Sequence, residues 1–284
     1  MSGPYLHGHH ASVLRSHSWR TVENSAPHLI PYLRPDLKVL DVGCGPGTIT
    51  VDLASRLPQG FVYAIDPSTD VIEKARQHAK ENGVTNVRFE VGDIFSWQEL
   101  DGVDEASFDV VHAHQVLQHL QDPLGCMKEM VRLTKKGGIV AVRDCDYGAM
   151  DWYPEHPGMQ KWKNLYIKVA LGLKAYPNMG KMLHSIAMQA GVPRQDIEAS
   201  IGAWCFSTPE EREWVSRGHE FLLLRGLPAC SGAACGQTER SRATTSRESS
   251  MATTVPRLSL TKSQQRFGRW RRKKTVGSQS STGR

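Results

Sequence analysis

VLDVGCGPGTI, from Val39 to Ile49, runs an apolar, strand-like segment into three glycines and a proline within five positions. A strand that enters a glycine turn and leaves it as a helix sets bare backbone, and the helix's unpaired N–H groups, beside a ligand. The dinucleotide fingerprint GxGxxG is broken here: Gly43-Cys44-Gly45-Pro46-Gly47-Thr48 carries threonine where the last glycine belongs. The surroundings of the turn have to decide what it holds.

Outward from it, short apolar runs alternate with helical patterns. LKVLDV (37–42), FVYAID (61–66), VRFEV (87–91), FDVVHA (108–113) and GIVAVRD (138–144) read as strands. TITVDLASRL, TDVIEKARQHAKENG and DPLGCMKEMVRLTKKGG show the 3.6-residue period between them. Asp122 and Pro123 suit N-cap and N1, and Gly83 and Gly137 suit helix stops. Five such units predict an α/β fold with a doubly wound, mostly parallel, Rossmann-like sheet. Residues 11–33 read as an amphipathic helical preface, DYGAMDWYPEHPGMQKWKNLY as an aromatic insertion, and NMGKMLHSIAMQAG as a further helix. IEASIGAWCFS reads as a sixth strand, and TPEE from Thr208 to Glu211 as a capping box opening another helix. The expected organisation is a helical N-terminal lid over 1–34, an α/β domain over 35–229 with an insertion at 146–175, and a disordered tail over 230–284.

The net charge of +6 belongs to that tail. From Gly236 to Arg284 there are twelve Lys/Arg and two Asp/Glu, and seventeen of the 49 residues are Ser or Thr. The preceding part carries 23 basic and 27 acidic groups, so the domain itself has no electrostatic call for nucleic acid. The six cysteines are scattered, without metal-ligand or CxxC spacing, which suits reduced thiols. The first 20 residues hold no apolar leader segment, and FLLL at 221–224 is too short to cross a bilayer. A cytoplasmic location is expected.

Two acids complete the reading of the turn. Asp66 ends the second strand, where a carboxylate can accept from both hydroxyls of a ribose. Asp93 ends the third, where an adenine amino group would meet an acceptor. The competing reading has both acids merely capping the helices that follow. VLDVGCGPG, AIDPS, GDI and FDVVHAHQVLQHLQDP together resemble the successive motifs of class I S-adenosylmethionine-dependent methyltransferases. The resemblance covers roughly residues 30–145 and is greatest to the small-molecule (type 11) branch that includes ubiquinone and menaquinone C-methyltransferases. HHASVLRSHSWRTVENSA and AYPNMGKMLHSIAMQAG are similar, more narrowly, to fungal secondary-metabolite members. It implies S-adenosylmethionine as cofactor, with Gly43, Cys44, Gly45 and Gly47 under the methionine and Asp41 on its ammonium. Asp66 and Pro67 would hold the ribose, Asp93 and Ile94 the adenine, and Ala113, His114 and Gln115 would face the sulfonium.

Methyl transfer from a sulfonium needs alignment and water exclusion above all, and a base only for a weakly acidic hydroxyl or a protonated amine. His112 and His114, which share strand parity, are the candidate bases, against the alternative that each histidine here is a hydrogen-bonded structural residue or one acting from behind the site; His119 stands near them, and Asp144 and Asp146 either cap a loop or touch substrate. Tyr147 and Trp152 are candidate walls for a flat acceptor, against the alternative that they form the insertion's own core. Arg20 and Asn24, one helical turn apart, would meet the cofactor's carboxylate as a lid closes, against the alternative of a solvated helix face. A small-molecule acceptor is expected rather than nucleic acid, since HAHQ replaces the NPPY-like tetrapeptide of adenine-N6 enzymes and no thiol nucleophile follows the fourth strand. The resemblance also implies a last, antiparallel strand, which nothing after IEASIGAWCFS convincingly supplies. A noncatalytic methyltransferase-like subunit is therefore the second reading.

Overall fold

Five strands pair side by side in the order β3-β2-β1-β4-β5, every neighbour parallel. They are β1 (Lys38–Val42), β2 (Phe61–Asp66), β3 (Val87–Val91), β4 (Phe108–His114) and β5 (Thr134–Arg143). The computed structural model describes residues 19–213, all within one compact unit. The expected tail lies outside those residues, as do residues 1–18 of the N-terminal lid. The strand order reverses between β1 and β4, and the carboxyl ends of these two strands are the switch point at which α/β sheets bind ligands.

Helices cover both faces. On one, α1 (Val22–Ser25), α2 (Thr48–Ser55) and α3 (Thr69–Glu81) bury Val39, Val62, Ala64 and Val110 under Leu29, Leu53, Ile72 and Ala75. On the other, α4 (Pro123–Leu133) and α6 (Leu183–Gln189) set Met127, Met130 and Ile186 on Leu40, Tyr63, Ile65 and Val111. Buried on both faces, β1 and β2 read as the nearly unbroken apolar runs that a parallel sheet requires.

The caps follow the sequence in most places. Asp122 accepts from Gly125 N at 2.8 Å with Pro123 at N1, and Gly83, at φ +66°, ends α3. Thr208 and Glu211 exchange bonds of 2.9 and 3.2 Å, the capping box of a helical turn at 209–213. Gly137 is not a helix stop. α4 ends at Leu133 and the chain passes directly into β5, where Gly137, at φ +78°, lies in a bulge between the pairs Phe108–Thr134 and Val110–Ile139. The preface is not one long helix within the described residues: α1 is a four-residue helix capped by Thr21, followed by a 3₁₀ turn at Ile30–Tyr32. IEASIGAWCFS forms no strand. The insertion contributes α5 (Pro157–Gly172) after a 3₁₀ turn at Tyr147–Ala149.

Candidate functional site

Gly43, Gly45 and Gly47 take φ of +67°, +56° and +80°, the left-handed region that penalises a Cβ. At two of them the protein's own packing also demands bare backbone. A Cβ on Gly43 would lie 2.6 Å from Val116 Cγ2, and one on Gly47 would lie 2.9 Å from Ala75 Cβ on α3. The turn's N–H groups are committed inside the protein. Those of Gly43 and Cys44 donate to the Ile65 carbonyl at 2.8 and 3.0 Å, that of Gly47 to the Cys44 carbonyl, and that of Gly45 to Asp66 Oδ2 at 3.1 Å. Pro46 has none to offer. A phosphate laid on these residues would meet no donor from the turn itself.

Carboxylates stand on either side instead. Asp41, 3% exposed, accepts from Thr50 Oγ1 at 2.6 Å through Oδ2, and His112 Nδ1 lies 2.8 Å from its Oδ1. Asp66, at the tip of β2, also accepts from Ser68 N at 3.0 Å, beside the exposed Pro67. Burial, then the charges of Asp41 and Asp66, push the Cys44 thiol well up. Asp93 accepts from Phe95 N at 3.1 Å as the N-cap of the 3₁₀ turn that Ile94, 3% exposed, begins. The capping reading of Asp66 and Asp93 is thus met in part, each using one oxygen for the turn that follows it.

At the end of β4, Ala113 is fully buried, His114 is 7% exposed, and Gln115 bends the chain at φ +56°. Gln115 N donates to the Arg143 carbonyl, its Oε1 accepts from Arg20 Nη2 at 2.9 Å, and its Nε2 donates to Cys145 Sγ at 3.0 Å. His112 is fully buried with Nδ1 on Asp41, so its ring presents no open face to an acceptor here. The indole of Trp204 lies 5.9 Å from the ring of His114, with Arg143 over its face at 4.9 Å and Arg20 at 5.6 Å. Trp204 Nε1 and Arg143 Nη1 both donate to the Asn24 carbonyl at 2.7 Å, which ties the segment expected as a sixth strand to α1. Asn24's side chain is occupied in capping α1, its Oδ1 accepting from Thr21 N.

The family described as "Methyltransferase domain" matches residues 33–192. Over 219 residues the chain is 33% identical to an uncharacterized methyltransferase of Schizosaccharomyces pombe, covering 75% of this chain and 77% of that protein. The chain belongs to the methyltransferase-domain family. A probable methyltransferase of Aspergillus luteorubrus is 29% identical over 241 residues, 79% of this chain and 81% of that protein. The sterol 24-C-methyltransferase of Aspergillus fumigatus is 28% identical over 216 residues, 66% of this chain and 54% of that protein. S-adenosylmethionine is the cofactor of this methyltransferase. The carboxyl edge fits it: a turn with its own donors committed and carboxylates at its flanks suits a cationic amino acid on a ribose better than a pyrophosphate.

Elsewhere several of the candidate side chains are engaged by the protein's own packing and hydrogen bonds. Tyr147, 6% exposed, packs on Tyr166 with ring centroids 4.2 Å apart, and Trp162 stacks on Tyr166 in turn. The insertion therefore has its own small aromatic core, and Tyr147 belongs to it. Trp152 carries the Lys163 ammonium 5.1 Å above its ring. Asp146 caps the 147–149 turn through Gly148 N. Asp144 Oδ1 accepts from Gln118 N at 3.4 Å while its Oδ2 is buried without a hydrogen-bond partner among the described residues, and burial pushes the carboxyl up to about 8. Burial likewise holds His119 down at about 3, with the Arg20 charge adding to the effect. Trp204, Arg143 and Thr50 also border the candidate site and are not singled out by the sequence; a tryptophan two positions after Gly202 is the available signal for the first.

Proposed function

We propose that this methyltransferase passes the methyl group of S-adenosylmethionine to a small-molecule acceptor, in fungal secondary metabolism and in the cytoplasm. The observation that carries the donor half is the character of the glycine turn: its N–H groups are internally bonded and Asp41 and Asp66 both act on Cys44 beside it. Gly43, Cys44, Gly45 and Gly47 pass under the methionine, and Asp41 faces its ammonium. Asp66 and Pro67 take the ribose, Asp93 and Ile94 the adenine, and Ala113, His114 and Gln115 line the reacting end. Fungal relatives and the compact −4 body of the chain support a small-molecule acceptor over nucleic acid.

S-adenosylmethionine supplies an already activated methyl group, so the chain's own task is to align and to exclude water. Trp204, tied to Asn24, covers His114 and keeps solvent from the end of β4. Of the two histidines we take His114, 7% exposed at the end of β4 against 0% for His112, as the candidate to accept a proton from an acceptor hydroxyl or ammonium. The test is titration of the full chain with S-adenosylmethionine, then incubation of both with a fungal small-molecule extract, following a labelled methyl group. Binding with label in a small molecule is expected. Label in added nucleic acid would overturn the acceptor class, and binding without transfer would leave a noncatalytic subunit.

A further inference from the structure

The hydrogen bonds beneath the glycine turn carry an inference about how the donor site is held. In the β1–β4 register Asp41 stands opposite His112, on the sheet face that α2 covers. His112 Nδ1 is 2.8 Å from Asp41 Oδ1, and Thr50, in the first turn of α2, donates to Asp41 Oδ2 at 2.6 Å. All three side chains are closed off: Thr50 and His112 are 0% exposed and Asp41 is 3% exposed. A carboxylate can only accept, so the ring proton on this side belongs to Nδ1.

The other ring nitrogen is the telling one. His112 Nε2 is buried and has no hydrogen-bond partner among the described residues. A leucine or phenylalanine would fill this place in the core without leaving a polar atom unsatisfied. What the imidazole supplies, and an apolar side chain does not, is the N–H on Asp41. His28, near His112, is held down at about 4 by burial, then by the charges of His112 and Arg143.

We propose that His112 is a positioning residue for the methyl donor, fixing the Asp41 carboxylate, together with Thr50, under the glycine turn where the donor's ammonium arrives. The inference rests on the donor placement given above. An anion locked from two sides is oriented before the cation binds, so no ordering of Asp41 is charged against affinity. Each of its oxygens keeps a second lone pair for the ligand.

The experiment is calorimetric titration of the full chain with two probes, S-adenosylmethionine and 5′-methylthioadenosine, which shares the nucleoside but lacks the amino acid. His112→Leu should weaken S-adenosylmethionine by about ten- to a hundredfold, the usual cost of removing an outer partner from a ligating group, and leave methylthioadenosine within about twofold. His112→Asn, which returns an N–H toward Asp41, should recover most of the loss. Equal weakening of both probes, or of neither, overturns the inference and leaves a merely structural histidine. If His112→Leu does not fold, Thr50→Val and His112→Asn carry the same comparison, with the same selective loss expected of Thr50→Val. A wild-type chain that binds neither probe overturns the donor placement itself, and the inference with it.

Discussion

Asp66 has two tasks at one position. Its carboxylate fixes the glycine turn through Gly45 N and the start of α3 through Ser68 N, and in the proposed function it also accepts from a ribose. Asp66→Ala should therefore remove detectable S-adenosylmethionine binding while the fold persists, weakened by about 1–3 kcal/mol for two lost backbone bonds. Titration beside a thermal melt separates the effects, and unchanged affinity would displace the ribose from Asp66. Asp144 makes a different prediction. Its carboxyl sits at about 8 when folded against an ordinary 3.8, so across that interval the native chain keeps a proton that the unfolded chain has released. The folded state binds more protons, so this contribution is full below about pH 4 and is lost as pH rises through about 8. Asp144→Asn should flatten the fall in melting temperature between pH 5 and pH 8; an unaltered slope would mean that the carboxyl ionises in place. Sequence alone singled out Asp66 by its place at a strand end, because strand ends are legible from apolar runs. It could not see that Asp41 and His112 meet, since a cross-strand pair depends on register, 71 residues apart in the chain.

At the scale of elements, the strands were legible because a parallel sheet buried on both faces leaves short, nearly continuous apolar runs between helical periods. The 197–207 segment misled for the same reason. Its alternation marks one apolar side but not what that side meets, and Trp204 turns out to cover Arg143 and His114 in place of pairing in a sheet. Glycines were the opposite case: their number was plain and their cause was not. Gly47 and Gly83 both lie in the left-handed region, at φ +80° and +66°, but a Cβ on Gly47 would meet Ala75 Cβ at 2.9 Å while one on Gly83 would meet nothing within 4 Å. Gly83→Ala should cost only the backbone term, about 1–2 kcal/mol. Gly47→Ala should cost that plus about 1–3 kcal/mol of overpacking between α2 and α3, and should weaken S-adenosylmethionine binding as the turn shifts. Urea unfolding of the two variants measures the difference; equal losses would mean that α3 yields to the new methyl without strain.

For the whole molecule, charge is divided along the chain rather than spread over it. All the excess basicity lies from Gly236 onward, in a stretch with twelve basic and two acidic groups, while the part that contains the sheet and the candidate site is net acidic. Neutralising phosphates requires clustered Lys and Arg, and the affinity they give falls steeply with salt. Any affinity of this methyltransferase for nucleic acid should accordingly reside in residues 233–284 and be independent of the donor site. A chain ending at Gly232, the boundary of the unit that holds the described fold, should lose retention on a cation exchanger and lose salt-sensitive binding to duplex DNA. Its S-adenosylmethionine affinity should stay within about twofold of the full chain, since no residue assigned to the donor lies beyond His114 and Gln115. A shortened chain that still binds DNA would place a phosphate-reading surface on the α/β domain and reopen nucleic acid as acceptor. One that no longer binds S-adenosylmethionine would make the basic stretch part of the site, and the division of labour argued from charge would fail.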